Sequence, residues 1–277
     1  MTTTITTPET SQPPAEELAP AKSPGRKRGV LKAALLGAIV PVGLLLLWSF
    51  ASAVGWLNPA QLPSPGSVLN AGVELIQRGE LGNHIGISVQ RVLIGFTIGA
   101  SLGLVLGSVV GLVNIADKLL SPTIGAFRAV PSLAWVPLLI LWLRIGEESK
   151  LTLIAIGAFF PVFTTVYSAL RHVDKNLVEA ARAFGLKGIA LLRTVQLPAV
   201  VPSIFSGLRL ALAQAWLFLV AAELIASSMG LGFLLTDSQN NGRVDRLLLS
   251  IVLLAILGKI TDSLLAILER RMLNKWT

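Results

Sequence analysis

Apolar positions along this chain come in runs of about 20 residues separated by short polar islands, without the two-residue alternation of a half-buried strand. Six runs stand out, at 31–54, 88–113, 119–144, 151–170, 203–226 and 247–268. At ~1.5 Å of rise per residue, each is long enough to cross a hydrocarbon core of ~30 Å as a helix. The third is the weakest, because it carries Arg128 and is interrupted by Pro131 and Pro137. Proline removes a backbone donor and collides with the preceding turn, so a broken helix is expected there. The pattern predicts an all-α membrane protein with about six transmembrane helices.

The flanks set the orientation. With the N-terminus inside, seventeen of the 23 basic residues fall at or near the cytoplasmic side, leaving only those at 78, 91, 144, 150, 243 and 246 on the other. That asymmetry places both termini and the loop 171–202 in the cytoplasm of a multi-pass protein of the cytoplasmic (inner) membrane. Residues 1–29 are rich in Thr, Pro, Ala and Glu and end in Lys22, Arg26, Lys27 and Arg28. They are expected to form a disordered cytoplasmic tail ahead of a transmembrane domain over 30–277. Ala51-Ser52-Ala53 mimics a cleavage site, but the run Val30–Val54 is too long for a signal-peptide core and reads as an uncleaved anchor. Outside the membrane, Leu62-Pro63-Ser64-Pro65-Gly66 is turn chemistry and Val68–Ile76 predicts a short surface helix.

Composition agrees. The chain is 53% hydrophobic and 14% charged, with a mean hydropathy of +0.73, and its 277 residues leave no room for a separate soluble domain. A net charge of +8 would suit nucleic acid, but these basic residues flank apolar spans, and topology accounts for them. The chain has no cysteine, which removes disulfides and thiolate metal sites. His84 and His172 are placed in different loops on opposite sides and read as solvated residues, so no metal or cofactor is expected. No internal repeat is visible, which argues against the inverted-repeat secondary transporters. No Ser/His pair or His/Asp/Glu cluster is placed for catalysis, and there is no Gly-x-x-x-x-Gly-Lys-Ser/Thr phosphate loop.

The loop 171–202 has a shape of its own. Asp174 is positioned to cap a helix whose Leu177, Ala180, Ala181 and Phe184 share one face. Gly185 stands where a left-handed helix stop is needed. A second short helix would then align Ile189, Leu192 and Val195, and Pro198 and Pro202 are expected to end it before the fifth span. The product is a helix–Gly–helix elbow bearing Arg182, Lys187 and Arg193; an ordinary amphipathic loop on the membrane surface is the plainer alternative.

Several polar residues lie at membrane depth, where an ionisable group is a functional candidate by default. Glu223 sits near the outer end of the fifth span and suits either a gate or a structural pairing with a neighbouring helix. Arg128 and Arg209 would ease the passage of an anion or snorkel to headgroups. Lys259 and Asp262 are spaced to neutralise one another. Gln214 and Trp216 are further pathway candidates, and Gly230 and Gly232 permit a sharply turned outer segment after the fifth span.

The segment 179–198 begins Glu-Ala-Ala, reaches Gly185 after three residues and Val195 after nine more, and closes Leu197-Pro198. It resembles the loop by which importer-type ABC permeases dock onto their ATPases, with Val195 in place of the more usual Ile. The similarity extends from Val30 to Asn274 through Arg91–Phe96, Arg128–Ala134, Pro137–Trp142, Phe160-Pro161-Val162, Ala221-Ala222-Glu223 and Gly230-Leu231-Gly232. Together these look like the aliphatic sulfonate permeases, a branch that includes taurine, nitrate and thiamine-precursor permeases. The resemblance implies the ABC importer permease fold, acting as a homodimer. It also implies two copies of a separate ATPase subunit and an extracytoplasmic substrate-binding protein. Carried onto this chain, Glu179, Ala180, Ala181, Gly185, Leu186, Lys187, Gly188, Ile189, Leu197 and Pro198 form the ATPase-coupling segment. A stand-alone channel or secondary transporter, and less so a membrane enzyme, are the other classes these residues leave open.

Overall fold

The computed structural model describes residues 26–274 except 57 and 59; the expected tail over 1–29 falls outside them as far as residue 25, and helix α1 (Arg26–Ala53) begins at Arg26. Of the described residues, those up to Trp48 fall in one unit and those from Ser49 in a second. The stretch Leu36–Ala53 of α1 is long and apolar enough to cross a membrane.

In the second unit, α3 (Glu80–Leu112), α6 (Glu147–Arg171) and α9 (Leu197–Ala226) make the centre. Val92, Ile154, Leu212 and Leu219 fill one half of the contact; Ala100, Ala158, Val162 and Ala211 fill the other. Helix α11 (Val244–Leu273) lies against α9 and against α2 (Pro65–Gln77). The expected surface helix is therefore more than a surface helix, since Val68, Ala71 and Leu75 are buried. Glu74 beyond them binds Arg243 and Arg246 at 2.8 Å each. Hydrogen bonding from Arg243 first, and then from Arg246, holds the Glu74 carboxyl below the usual carboxylate range.

Close packing of α3 on α6 has a simple cause. Gly95, Gly99, Gly103, Gly107 and Gly111 recur every four residues and so share one face. A side chain at any of them would strike α6: a β-carbon at Gly103 would lie 2.9 Å from the Phe159 carbonyl oxygen and from Val162 Cβ, and one at Gly107 would lie 2.9 Å from the Phe163 oxygen. With lipid as the solvent, such backbone-to-backbone approach drives helix association more than apolar burial does. Gly103→Leu is expected to lower stability by at least about 2 kcal/mol, because rigid backbone has to move. Thermal unfolding in detergent tests this; a melting temperature within 1 °C of wild type would remove the ladder from the packing argument.

The third span is broken, as the prolines predict. Helix α4 (Asn114–Ala129) and the following 3₁₀ turn and α5 (Val136–Leu143) meet at 87°. Val130 is extended, as a residue before proline must be, and Pro131 opens the turn. Pro137, by contrast, sits in the first turn of α5, where no backbone donor is missed.

Pro198 and Pro202 do not end the short helix after Gly185. Helix α8 (Gly188–Leu191) passes through a π turn, Leu192–Gln196, directly into α9. The wide turn closes with the Leu197 N–H on the Leu192 carbonyl, and the next residue, Pro198, has no N–H to place.

Ten residues read as loop are also helical. α10 (Leu231–Asn240) buries Leu231 and Leu234 among α3, α9 and α11.

Candidate functional site

The elbow forms at one end of the bundle. Helix α7 (Lys175–Ala183) starts with the Asp174 carboxylate accepting the Asn176 N–H at 2.9 Å. It stops where Gly185 takes φ +85°, a left-handed conformation that strains any residue bearing a β-carbon. There the Leu186 N–H bonds the Ala181 carbonyl at 3.1 Å and the Gly185 N–H bonds the Arg182 carbonyl at 2.9 Å, which satisfies the helix end. Lys187 is extended, and Gly188 starts the second limb.

The apolar face expected on α7 divides. Ala181 and, beyond the turn, Leu191 are buried and anchor the two limbs. Phe184 is 88% exposed and Ile189 70%, so both apolar tips of the elbow point away from the helix bundle. Glu179, Ala180 and Lys187 are exposed around them, and Leu197 and Pro198 mark the first turn of α9. The structure thus brings the segment 179–198 into one surface feature whose most uncovered hydrophobic side chains are Phe184 and Ile189.

At the opposite end of α9 lies an ionic knot. Glu223 is 1% exposed, and its carboxylate accepts Arg91 Nη1 at 2.7 Å, Ser88 Oγ at 2.9 Å and the Gly232 N–H at 2.8 Å. Ser88 in turn accepts the Leu231 N–H at 2.8 Å. Arg91 reaches the Met229 carbonyl at 2.7 Å and pairs with Glu147 at 2.6 Å; Lys150 joins Glu147 at 3.0 Å. A buried carboxylate and guanidinium are tolerable here because each is both paired and hydrogen-bonded on several sides. Gly230, at φ +123°, and Gly232 pass so close to the Glu223 side chain that a β-carbon on either would overlap it. Glu223, Gly230 and Gly232 therefore form one sealed cluster.

His84 belongs to this cluster and is no loop residue. It lies in the first turns of α3, which starts eight residues earlier than hydropathy places the span. The ring is buried, Nδ1 accepts the Gly230 N–H at 3.0 Å, and Phe233 stacks at 6.1 Å. Sequence reasoning missed Ser88, His84 and Glu147 as partners, since their contacts with the Glu223 region and Arg91 span between 56 and 146 residues.

The remaining candidates separate. Arg209 is held by Asp262 at 2.8 and 3.0 Å, with Glu269 at 3.8 Å, so Asp262 belongs chiefly to Arg209; Lys259 stands 3.9 Å away. Trp216 is buried and donates to Thr261 at 3.0 Å, which ties α9 to α11. Gln214 is half-buried on α9. Arg128 is exposed, and Nη1 donates to the Thr164 hydroxyl at 3.1 Å. Among the described residues, no group of three His, Asp or Glu is arranged to hold a metal ion.

Residues 99–274 match the family described as binding-protein-dependent transport system inner membrane component. The chain is 40% identical to the protein of Bacillus subtilis (strain 168) named aliphatic sulfonates transport permease protein SsuC, over 92% of this chain and 91% of that one. To the protein of the same name from Escherichia coli (strain K12) it is 44% identical, over 83% and 88% of the two chains. Among solved structures, an inward-facing form of the MetNI methionine ABC transporter matches at a TM-score of 0.57 and 20% identity, covering 69% of this chain and 93% of that one; at that identity the likeness concerns the fold.

Proposed function

This chain belongs to the family of binding-protein-dependent transport system inner membrane components, and from that premise we propose that it is the subunit through which an aliphatic sulfonate enters the cytoplasm, driven by ATP hydrolysed on a separate chain. As a member of the ABC importer permeases it is a transport component. The observation that carries the finer reading is the pair of relatives named for aliphatic sulfonates, matched along nearly the whole chain.

The proposed assembly has two copies of this chain, with a path between them, two ATPase subunits and an extracytoplasmic binding protein. The elbow 179–198 is the ATPase contact. Its exposed Phe184 and Ile189 are the kind of uncovered apolar tips that a cleft in a partner would take up. Because α8 runs through the π turn into α9 without a break, displacement of Ile189 moves a rod that ends about 50 Å away beside Glu223. A stiff rod is what coupling requires; a flexible joint would dissipate the motion of the ATPases.

The test is uptake of ethanesulfonate into liposomes holding this chain and its ATPase, with binding protein on the outside. Accumulation is expected only with ATP. Equilibration down the gradient without ATP would make the chain a facilitator, and uptake of nitrate in preference to sulfonate would move the substrate. For the orientation, Lys187→Cys in this otherwise cysteine-free chain should resist an impermeant thiol reagent in intact cells, and Asn70→Cys should react.

A further inference from the structure

We propose that Arg128 and the hydroxyl-lined cavity beside Thr164 hold the oxyanion group of the transported molecule as it crosses. The inference rests on the importer reading above and deepens it.

Apart from Arg144 at the last residue of its run, three arginines fall within the apolar runs, at 91, 128 and 209. Arg91 meets two carboxylates and Arg209 meets Asp262 and Glu269. Both positive charges are already met within the protomer. Arg128 differs: its one side-chain partner is the neutral Thr164 hydroxyl, and among the described residues it makes no ion pair. A guanidinium carries five N–H donors in a planar fork, so most of them remain for a ligand. A cation at membrane depth without a protein counter-charge is costly unless water or an anion reaches it.

Beside it is a place for such an anion. A cavity of about 670 Å³ runs along α6 to the start of α9 and shares Thr164 with Arg128. Ser168 and Ser203 add hydroxyls to its wall, while the Thr165 hydroxyl donates to the Pro161 carbonyl at 2.8 Å; Thr164 and Ser168 stand one helical turn apart. Sulfonate oxygens are weak acceptors, and an Arg fork with several hydroxyls suits them better than a second fixed charge. Asp174 lies at the other end of this wall with its carboxylate on the Asn176 N–H, which favours for a negative group the Thr164 end, where Arg128 reaches the hydroxyl at 3.1 Å from outside the lining. The larger cavity, about 800 Å³ beside the bend of the third span, is lined chiefly by apolar and aromatic side chains such as Phe127, Trp135, Trp142 and Phe159, and the Glu148 carboxylate on its wall would repel an anion.

A lipid phosphate presents the same chemistry as a sulfonate, so the test has to separate the two. In the complex with its ATPase, purified in neutral detergent, Ser168→Cys gives a single reporter thiol in the cavity. Its reaction rates with sulfonatoethyl and trimethylammonioethyl methanethiosulfonate are compared. The ratio favouring the anionic reagent should fall at least about tenfold when Arg128→Gln is added, given charge separations under about 10 Å, and should persist with Arg128→Lys. Ethanesulfonate should protect the thiol. An unchanged ratio in Arg128→Gln would overturn the proposal. Protection by phosphatidylglycerol but not by ethanesulfonate would also overturn it, making Arg128 a headgroup ligand. Uptake by the wild-type preparation is measured separately. If charge preference and protection hold while uptake is absent, the importer reading fails and the anion site stands; if uptake proceeds while the ratio ignores Arg128, this inference alone fails.

Discussion

Glu223→Ala is expected to cost the protomer about 3 kcal/mol, the lower end of what breaking a buried ion pair costs. The lower end applies because Arg91 keeps Glu147, the Met229 carbonyl and Ser227 Oγ when the carboxylate goes. Arg91→Ala should cost more, about 4–5 kcal/mol, since it leaves Glu223 buried as an anion with only Ser88 and the Gly232 N–H. The double variant should cost clearly less than the sum of the two, because neither charge is then stranded. Thermal unfolding of the four proteins in one detergent measures this. Additive losses, or a Glu223→Ala loss below 0.5 kcal/mol, would mean that the knot is not an energetic unit.

The second large effect is expected at the elbow. If the proposed contact forms at the exposed apolar tips, Phe184→Asp and Ile189→Asp should each reduce recovery of the ATPase about 30-fold, because a charge would then have to enter an apolar cleft. Gly185→Val should act by a different route. At φ +85° a β-branched residue strains the turn by about 1–2 kcal/mol, and the two limbs would change their relative angle. Glu179→Ala removes only the polar rim contact proposed for the elbow and should weaken association least. Pull-down of the ATPase from detergent, with membrane insertion as control, reads all four. Recovery at wild-type levels for every variant would take the elbow out of the mechanism.

What could be read in advance depended on whether the signal was local. Spans are local: 20 apolar residues in a row announce themselves, and Pro131 announces the break at 87°. The stop at Gly185 and the cap at Asp174 are local too, and both form. Pro198 misled because a proline is judged against an ideal α-helix, whereas a π turn just before it removes the conflict. Helix α10 was missed because ten residues after a Gly-rich turn carry too little periodicity to read. Partners across the fold were not legible at all. Asp262 stands three residues from Lys259 in sequence, yet Arg209 on another helix takes its carboxylate. The glycine ladder was written in the sequence at every fourth position and went unread, because hydropathy averages glycine away.

That ladder has a consequence for how the protein changes over generations. Every glycine codon begins with two guanines, and each single-base missense change leads to alanine, valine, serine, cysteine, aspartate, glutamate, arginine or tryptophan. All of them carry a β-carbon. At Gly95, Gly103 and Gly107 that one atom comes within 3.2 Å of a carbonyl oxygen of α6, and at Gly99 it overlaps one. No one-step missense mutation at these positions is silent in the packing, so their drift is closed whatever molecule the protein comes to carry.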